Sequence, residues 1–84
     1  MNIYVGNLDF KVEENDLKEL FSEFGQVESV KIVTDKYSGR SKGFGFVTMD
    51  NGAEGKEAID ALNGKMVKDR QLTVNEARPR KENY

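Results

Sequence analysis

Residues 42–49, which read KGFGFVTM, are the stretch that decides the fold of this chain. Side chains along a β-strand alternate between its two faces, so Lys42, Phe44 and Phe46 are predicted to share one face. Val47 and the methionine two positions later lie on the opposite face and can serve the core. An antiparallel strand usually buries one face and exposes the other. The pattern therefore predicts two aromatic rings exposed beside a cation, a surface on which flat rings can stack.

Helix and strand patterns alternate on both sides of this stretch. Leu17, Leu20 and Phe21 recur with the spacing of one helix face, and Gly25 ends that pattern. Asn63-Gly64 is a turn signal that follows a second, weaker helix pattern. We predict strands at about residues 2–7, 27–34, 43–49 and 70–76, and helices at about 14–24 and 53–62.

The order of these elements is strand-helix-strand-strand-helix-strand, as in the ferredoxin-like fold. We predict an α+β domain of this kind, a βαββαβ sandwich whose antiparallel sheet carries both helices on one face and leaves the other uncovered. The predicted core consists of Ile3, Val5, Leu17, Leu20, Phe21, Phe24, Val30, Ile32, Val47, Met49, Ile59, Leu62, Leu72 and Val74. The predicted open face carries Tyr4, Lys31, Val33, Lys42, Phe44, Phe46, Thr73 and Asn75.

Composition narrows the class of protein. The chain has 84 residues, which is the size of one small domain. It has no cysteine and no histidine, which removes a disulfide framework, a thiol nucleophile and the commonest general base. We therefore expect no metal, no cofactor and no enzymatic activity. The chain has no apolar run long enough to span a membrane and no signal-peptide pattern, so we expect a cytoplasmic protein without membrane contact.

Charge is distributed unevenly along the chain. The formal net charge is −2, but residues 9–28 and 50–60, which include the predicted helices, are acidic, with local balances of −5 and −3. Residues 31–42 and 65–81 carry +3 and +4. These basic segments belong to the central hairpin and to the last strand with its tail. One face of an acidic protein can thus be basic, which matters more for a ligand than the total charge.

The octamer matches the signature of the RNA-recognition motif at every position except the last, where Met49 replaces an aromatic residue. Residues 3–8, IYVGNL, resemble the hexamer signature on the first strand of that family. The resemblance covers residues 2 to about 80 and departs in few places, among them Glu13 in place of a threonine helix cap. It implies that the first and third strands are central neighbours, which would bring Tyr4 beside the two phenylalanines of the octamer.

The resemblance implies that the chain binds single-stranded RNA, with a role in RNA metabolism or post-transcriptional regulation. Two exposed rings beside a lysine suit the stacking of bases and the neutralisation of a phosphate. Tyr4 and Phe46 would each stack on a base, Phe44 would lie against ribose or between two nucleotides, and Lys42 would meet a phosphate. Main-chain groups around Ala77-Arg78 would add base contacts. The predicted RNA-binding residues are Tyr4, Phe44, Phe46, Lys42, Lys31, Asn75, Arg78 and Arg80.

Other partners and functions stay open at this level. Single-stranded DNA is a weaker candidate ligand, and weak binding leaves room for a dimer or a protein partner. The first alternative is a protein-binding module that uses the helix face of the same fold, although such members lack the sheet aromatics. The second is an acylphosphatase-like enzyme, which needs a phosphate-cradling loop with an arginine that residues 7–11 do not offer. The loop with Lys36, Tyr37 and Arg40 is as well explained by solvent exposure as by RNA contact.

The remaining expectations concern boundaries and single residues. Residues 1–80 are predicted to form the domain, and residues 81–84 a frayed tail. Phe10 is expected to seal the helix edge of the core, Asn7 to bind a local backbone group, and Gly6 to keep the sheet surface clear. Gly55 weakens the second helix, so Gly55→Ala is expected to stabilise the fold.

Overall fold

The structure is a computed structural model that describes residues 1–77. The predicted contacts of Arg78 and Arg80 and the predicted tail at residues 81–84 lie outside the described residues. The helices are α1 (Glu14–Ser22) and α2 (Gly52–Leu62). The strands are β1 (Asn2–Gly6), β2 (Val27–Thr34), β3 (Ser41–Met49), β4 (Met66–Val67), β5 (Arg70–Gln71) and β6 (Thr73–Ala77).

The main sheet has four strands in the order β2-β3-β1-β6, and every neighbouring pair is antiparallel. Strands β1 and β3 are central, as predicted, and both helices lie on one face of the sheet. The predicted ferredoxin-like α+β fold is therefore confirmed. No helix within residues 1–77 is long and apolar enough to cross a membrane.

The core fills the space between the sheet and the helices. Phe21 and Leu17 of α1 are completely buried against Ile3, Val5 and Val47 of the central strands. Four predicted core residues, Leu20, Phe24, Val30 and Ile59, pack at the edge of the core and are only partly buried. The prediction omitted Leu8, Val12 and Ala58, all of which are buried.

Both helices begin with a local hydrogen bond that satisfies free backbone groups. At the start of α1, the backbone N–H of Glu13 donates to the Asp16 carboxylate at 2.8 Å. At the start of α2, the side-chain oxygen of Asn51 accepts from the N–H groups of Ala53 and Glu54, at 2.9 and 3.1 Å. Asp16 thus supplies the half of a capping box that binds the N–H of the cap residue Glu13, and α1 starts at the predicted residue.

The predicted strand at 70–76 is wrong in one respect, because it is divided between two sheets. Residues Arg70–Gln71 pair with Met66–Val67 in a separate two-stranded sheet, and only Thr73–Ala77 join the main sheet. Lys68 and Asp69 join β4 to β5, and both have positive φ, 48° and 68°. This is the backbone of a two-residue hairpin. Neither residue is a glycine, so the sequence lacks the Asn-Gly or Asp-Gly pair that most clearly indicates such a turn.

Candidate nucleic-acid interface

A row of four side-chain positions crosses the open face of the sheet. Phe46 on β3 is paired with Lys31 on β2 and with Tyr4 on β1, and Tyr4 is in turn paired with Asn75 on β6. Side chains of directly paired residues lie on the same face. The structure therefore brings together four of the predicted site residues in the order cation, ring, ring and amide.

The predicted aromatic residues Tyr4, Phe44 and Phe46 form one cluster, which we call the aromatic triad. The ring centroids lie 6.0 Å apart for Tyr4 and Phe44, 5.9 Å for Tyr4 and Phe46, and 6.2 Å for Phe44 and Phe46. Phe46 is 38% exposed, and the other two rings are half-buried. Aromatic rings at such separations attract one another, so the triad is held in place from within.

Two glycines allow this surface to form. A Cβ on Gly6 would overlap the hydroxyl of Tyr4, so the tyrosine ring lies along the backbone of its own strand. Gly6 was expected to keep the surface clear for a base, and in the structure it makes room for Tyr4. A Cβ on Gly45 would overlap the carbonyl oxygen of Lys31, which places β2 and β3 in close contact behind the triad.

The strict alternation assumed for residues 42–46 is wrong at Gly43. Gly43 has φ 87°, and the register of β2 against β3 shifts between the pairs Ile32–Gly45 and Thr34–Ser41. A positive φ within a shifted register marks a bulge, across which alternation of faces no longer holds. Lys42 is exposed, and its charge contributes to lowering the pKa of Asp35. Alternation of side chains therefore does not place Lys42 on the same face of the sheet as Phe44.

The loop between β2 and β3 is built around Asp35. Its carboxylate accepts hydrogen bonds from the backbone N–H groups of Tyr37 at 2.7 Å and Ser38 at 3.2 Å. These bonds, with a smaller contribution from Lys42, hold the pKa of Asp35 below its ordinary value. Tyr37 is 90% exposed, and the Lys36 ammonium lies 5.6 Å from the centre of its ring. The loop thus presents an aromatic ring and a cation beyond the end of the sheet.

Phe10 does not seal the core, contrary to the prediction. Its side chain is 69% exposed and lies near Gly43, while the buried Leu8 and Val12 on either side occupy the core. It lines a groove on the helix side of the sheet together with Val12 and Ile32. Phe10 is therefore an exposed aromatic residue that does not belong to the triad.

Asn7 binds a backbone group, as expected, but a distant one. Its side-chain amide donates to the carbonyl oxygen of Gln71 at 2.6 Å, and its side-chain oxygen accepts from Arg70 at 2.8 Å. Asn7 thus ties the end of β1 to β5. The sequence analysis did not single out Arg70, because the contact spans 63 positions of the chain and has no local signal.

Residues 1–77 contain no group of three or more carboxylates that could hold a metal ion.

Comparison with known proteins supports one family. Residues 3–73 match the RNA recognition motif. The chain is 50% identical over 82 residues to "Putative RNA-binding protein RbpE" of Nostoc sp., covering 98% of this chain and 83% of that protein. The crystal structure of RNA binding protein PG1 superimposes with a TM-score of 0.93 at 45% identity, covering 98% of this chain and 99% of the other.

A structure solved with RNA is similar as well. The Sxl-lethal protein–RNA complex has a TM-score of 0.89 at 32% identity, covering 96% of this chain and 48% of the other. The segment that matches the family, residues 3–73, contains all three residues of the aromatic triad. The chain therefore belongs to the RNA recognition motif family.

Proposed function

We propose that the protein binds single-stranded RNA across the open face of its sheet, with the aromatic triad as the contact surface. Tyr4 and Phe46 each stack on a base, and Phe44 lies against ribose or between two nucleotides. The observation that carries this proposal is that three rings within 6.2 Å of one another lie on a sheet face that neither helix of residues 1–77 covers. Exposed rings are a stacking platform for bases, which all have a π-face.

The angles between the rings favour an unstacked strand. The planes of Tyr4 and Phe46 differ by 63°, and those of Phe44 and Phe46 by 89°. Neighbouring bases in a duplex are parallel, so they cannot lie flat on two rings inclined in this way. Bases that are splayed apart can do so, and only single strands offer them. We expect duplex RNA to bind poorly and single-stranded DNA to bind more weakly than RNA.

Polar and charged groups surround the triad and would hold the backbone of the RNA. Lys31 is exposed beside Phe46, and Asn75 is exposed beside Tyr4. We propose that Lys31 and Lys42 meet phosphates, and that Asn75 binds a base edge or ribose. Arg78 and Arg80 stay proposed contacts on the family resemblance alone. Cations of this kind supply affinity that falls with salt.

The affinity of the isolated domain should be modest. Stacking contributes about 1–3 kcal/mol per base, so two or three bases give micromolar binding at best, since 1 μM corresponds to about 8 kcal/mol. We propose that the protein acts by reversible binding alone, without catalysis, in RNA metabolism or post-transcriptional regulation in the cytoplasm. A second copy or a protein partner would raise the affinity by adding a binding site.

The test compares aromatic residues on and off the open face. Phe46→Ala and Tyr4→Ala should each weaken binding to a mixed-sequence single-stranded oligoribonucleotide by about 1–3 kcal/mol, or roughly five- to 150-fold, in a fluorescence titration. Phe10→Ala is the matched control, because Phe10 is an exposed ring on the helix side of the sheet. It should leave the affinity unchanged.

Two results would contradict the proposal. If Phe46→Ala stays folded and binds RNA as well as the parent, stacking on the triad is not the mechanism. The protein-binding alternative, which uses the helix face, would then be the better account. If Phe10→Ala weakens binding as much as Phe46→Ala, the RNA lies on a different surface.

A further inference from the structure

Arg70 is an exposed cation that the fold holds in one place. One terminal nitrogen of its guanidinium donates to the side-chain oxygen of Asn7 at 2.8 Å. The amide nitrogen of the same asparagine donates to the carbonyl oxygen of Gln71 at 2.6 Å. Asn7 therefore clamps the strand that carries Arg70 and also orients its side chain. Most exposed arginines lose rotamer entropy when they bind a ligand, and an arginine held in advance loses less.

The clamp itself has a fixed position. Asn7 has φ 58°, a left-handed conformation that asparagine tolerates better than other residues with a Cβ. The next residue, Leu8, is buried, and its N–H donates to the carbonyl oxygen of Gly43 at 2.8 Å. The end of β1 is thus tied to β3 on one side and to β5 on the other, which leaves Asn7 little freedom to move.

Arg70 is held at the end of β1, the strand that carries Tyr4, and this end forms one rim of the open face. Asn7 directly follows Gly6, and the Tyr4 hydroxyl lies over Gly6. Gly6 is paired with Thr73, the first residue of β6. The guanidinium that binds Asn7 is therefore held one residue beyond the glycine that the Tyr4 hydroxyl overlies. The RNA strand that carries a base stacked on Tyr4 must leave the open face across this rim or across the opposite one.

We propose that Arg70 binds a phosphate of the RNA strand at this rim, next to the nucleotide stacked on Tyr4, and that Asn7 acts as its positioning residue. A guanidinium carries five N–H donors and binds phosphate through pairs of them. The contact with Asn7 engages one nitrogen and involves a neutral amide, so the positive charge and the other donors remain for the RNA. This inference rests on the proposed function and adds a phosphate site to it.

The first experiment removes the charge at two positions of the same hairpin. Arg70→Gln should weaken binding of a mixed-sequence single-stranded oligoribonucleotide by about three- to tenfold at low salt. It should also flatten the log–log dependence of affinity on salt by about 0.7, the value for one phosphate contact on a single strand. Lys68→Gln is the matched control, since Lys68 is an exposed cation two positions away that lines a groove against Glu19 and Leu20 of α1. It should change neither quantity.

The second experiment tests the positioning role of Asn7. Asn7→Gly keeps a residue that adopts positive φ readily and removes the amide. It should weaken RNA binding about two- to fivefold in the parent and have almost no effect in the Arg70→Gln background. If Asn7 acts only on stability, Asn7→Gly should lower the free energy of unfolding in both backgrounds. Its effect on RNA affinity should then be the same in the parent and in the Arg70→Gln variant. Arg70→Lys should bind between the parent and Arg70→Gln, because it keeps the charge and loses the planar fork.

The outcomes separate this inference from the proposed function. If Phe46→Ala weakens binding while Arg70→Gln does not, the stacking surface stands and the phosphate site is refuted. If Arg70→Gln and Lys68→Gln weaken binding equally, the effect is one of net charge, and the site is also refuted. If the parent shows no affinity for the oligoribonucleotide, both the proposed function and this inference fall.

Discussion

The two faces of the sheet use phenylalanine for opposite purposes. Phe21 of α1 is completely buried on the helix side, whereas Phe46 of β3 is 38% exposed on the open side. The two residues have the same side chain and lie on opposite faces of the same four-stranded sheet. Both helices of residues 1–77 lie on the face where Phe21 is buried. A ring that is buried between a helix and the sheet contributes to stability, whereas a ring that is exposed beside other rings forms a binding surface. Residue type alone therefore does not assign a role in this fold.

The largest expected effect comes from exchanging the two phenylalanines for alanine. Phe21→Ala empties a fully buried site and should cost about 3–5 kcal/mol of unfolding free energy, which is most of the stability of a small domain. Phe46→Ala should cost under about 1 kcal/mol, because its ring is exposed at the surface. Chemical denaturation of both variants measures the difference. Equal losses would mean that the open face is buried and that the comparison between faces is wrong.

A smaller effect is expected at the bulge that separates Lys42 from the triad. Gly43→Ala forces a residue with a Cβ into φ 87°, and should cost about 1–2 kcal/mol of unfolding free energy. Direct clash adds little, since the new Cβ would lie 3.4 Å from the Leu8 carbonyl oxygen and 3.7 Å from the Phe10 ring. A variant as stable as the parent would show that positive φ is not required, and simple alternation of faces through Lys42 would be restored.

The smallest expected effect comes from replacing two glycines of α2, the helix that helps to cover the core face of the sheet. Gly52 has nothing within 4 Å of an added Cβ, so Gly52→Ala should stabilise the fold by up to about 1 kcal/mol. Gly55 is helical but buried, and its Cβ would overlap the Met1 sulfur. Gly55→Ala should therefore gain less than Gly52→Ala, or lose stability, depending on how far the thioether yields. Thermal or chemical unfolding measures both, and a larger gain at Gly55 would contradict the contact.

Much of the fold could be predicted because its signals are local. The strand Val27–Thr34 begins and ends at the predicted residues, and α1 starts at the predicted Glu14. Both follow from side-chain periodicity and flanking breakers, which act within a few residues. The error in α1 is at its end, since the helix stops at Ser22 and not at residue 24. Helix ends depend on which backbone groups find partners, and hydrophobic spacing does not report this.

The candidate site was predicted where it rests on sequence alternation and missed where it rests on contact between distant segments. Tyr4 and Phe46 are paired as the family pattern implied, and the octamer alone predicted the exposure of Phe46. Phe10 was placed in the core because it is apolar and near a helix. The structure instead gives the buried positions to Leu8 and Val12. An apolar residue in a loop carries no periodicity that would indicate which way it faces.

The sequence by itself determined the element order, the antiparallel sandwich and the identity of the rings that lie on the open face. The elements and the rings follow from periodicities of two and 3.6 residues, and the sandwich follows from the order of the elements. Only the tertiary structure decided the mutual angles of the rings, the bulge at Gly43 and the Asn7–Arg70 contact. Ring angles depend on packing between strands, and a bulge depends on the registers of two strands at once. The hydrogen bond from Arg70 to Asn7 joins positions 63 residues apart, so it exists only after the chain has folded.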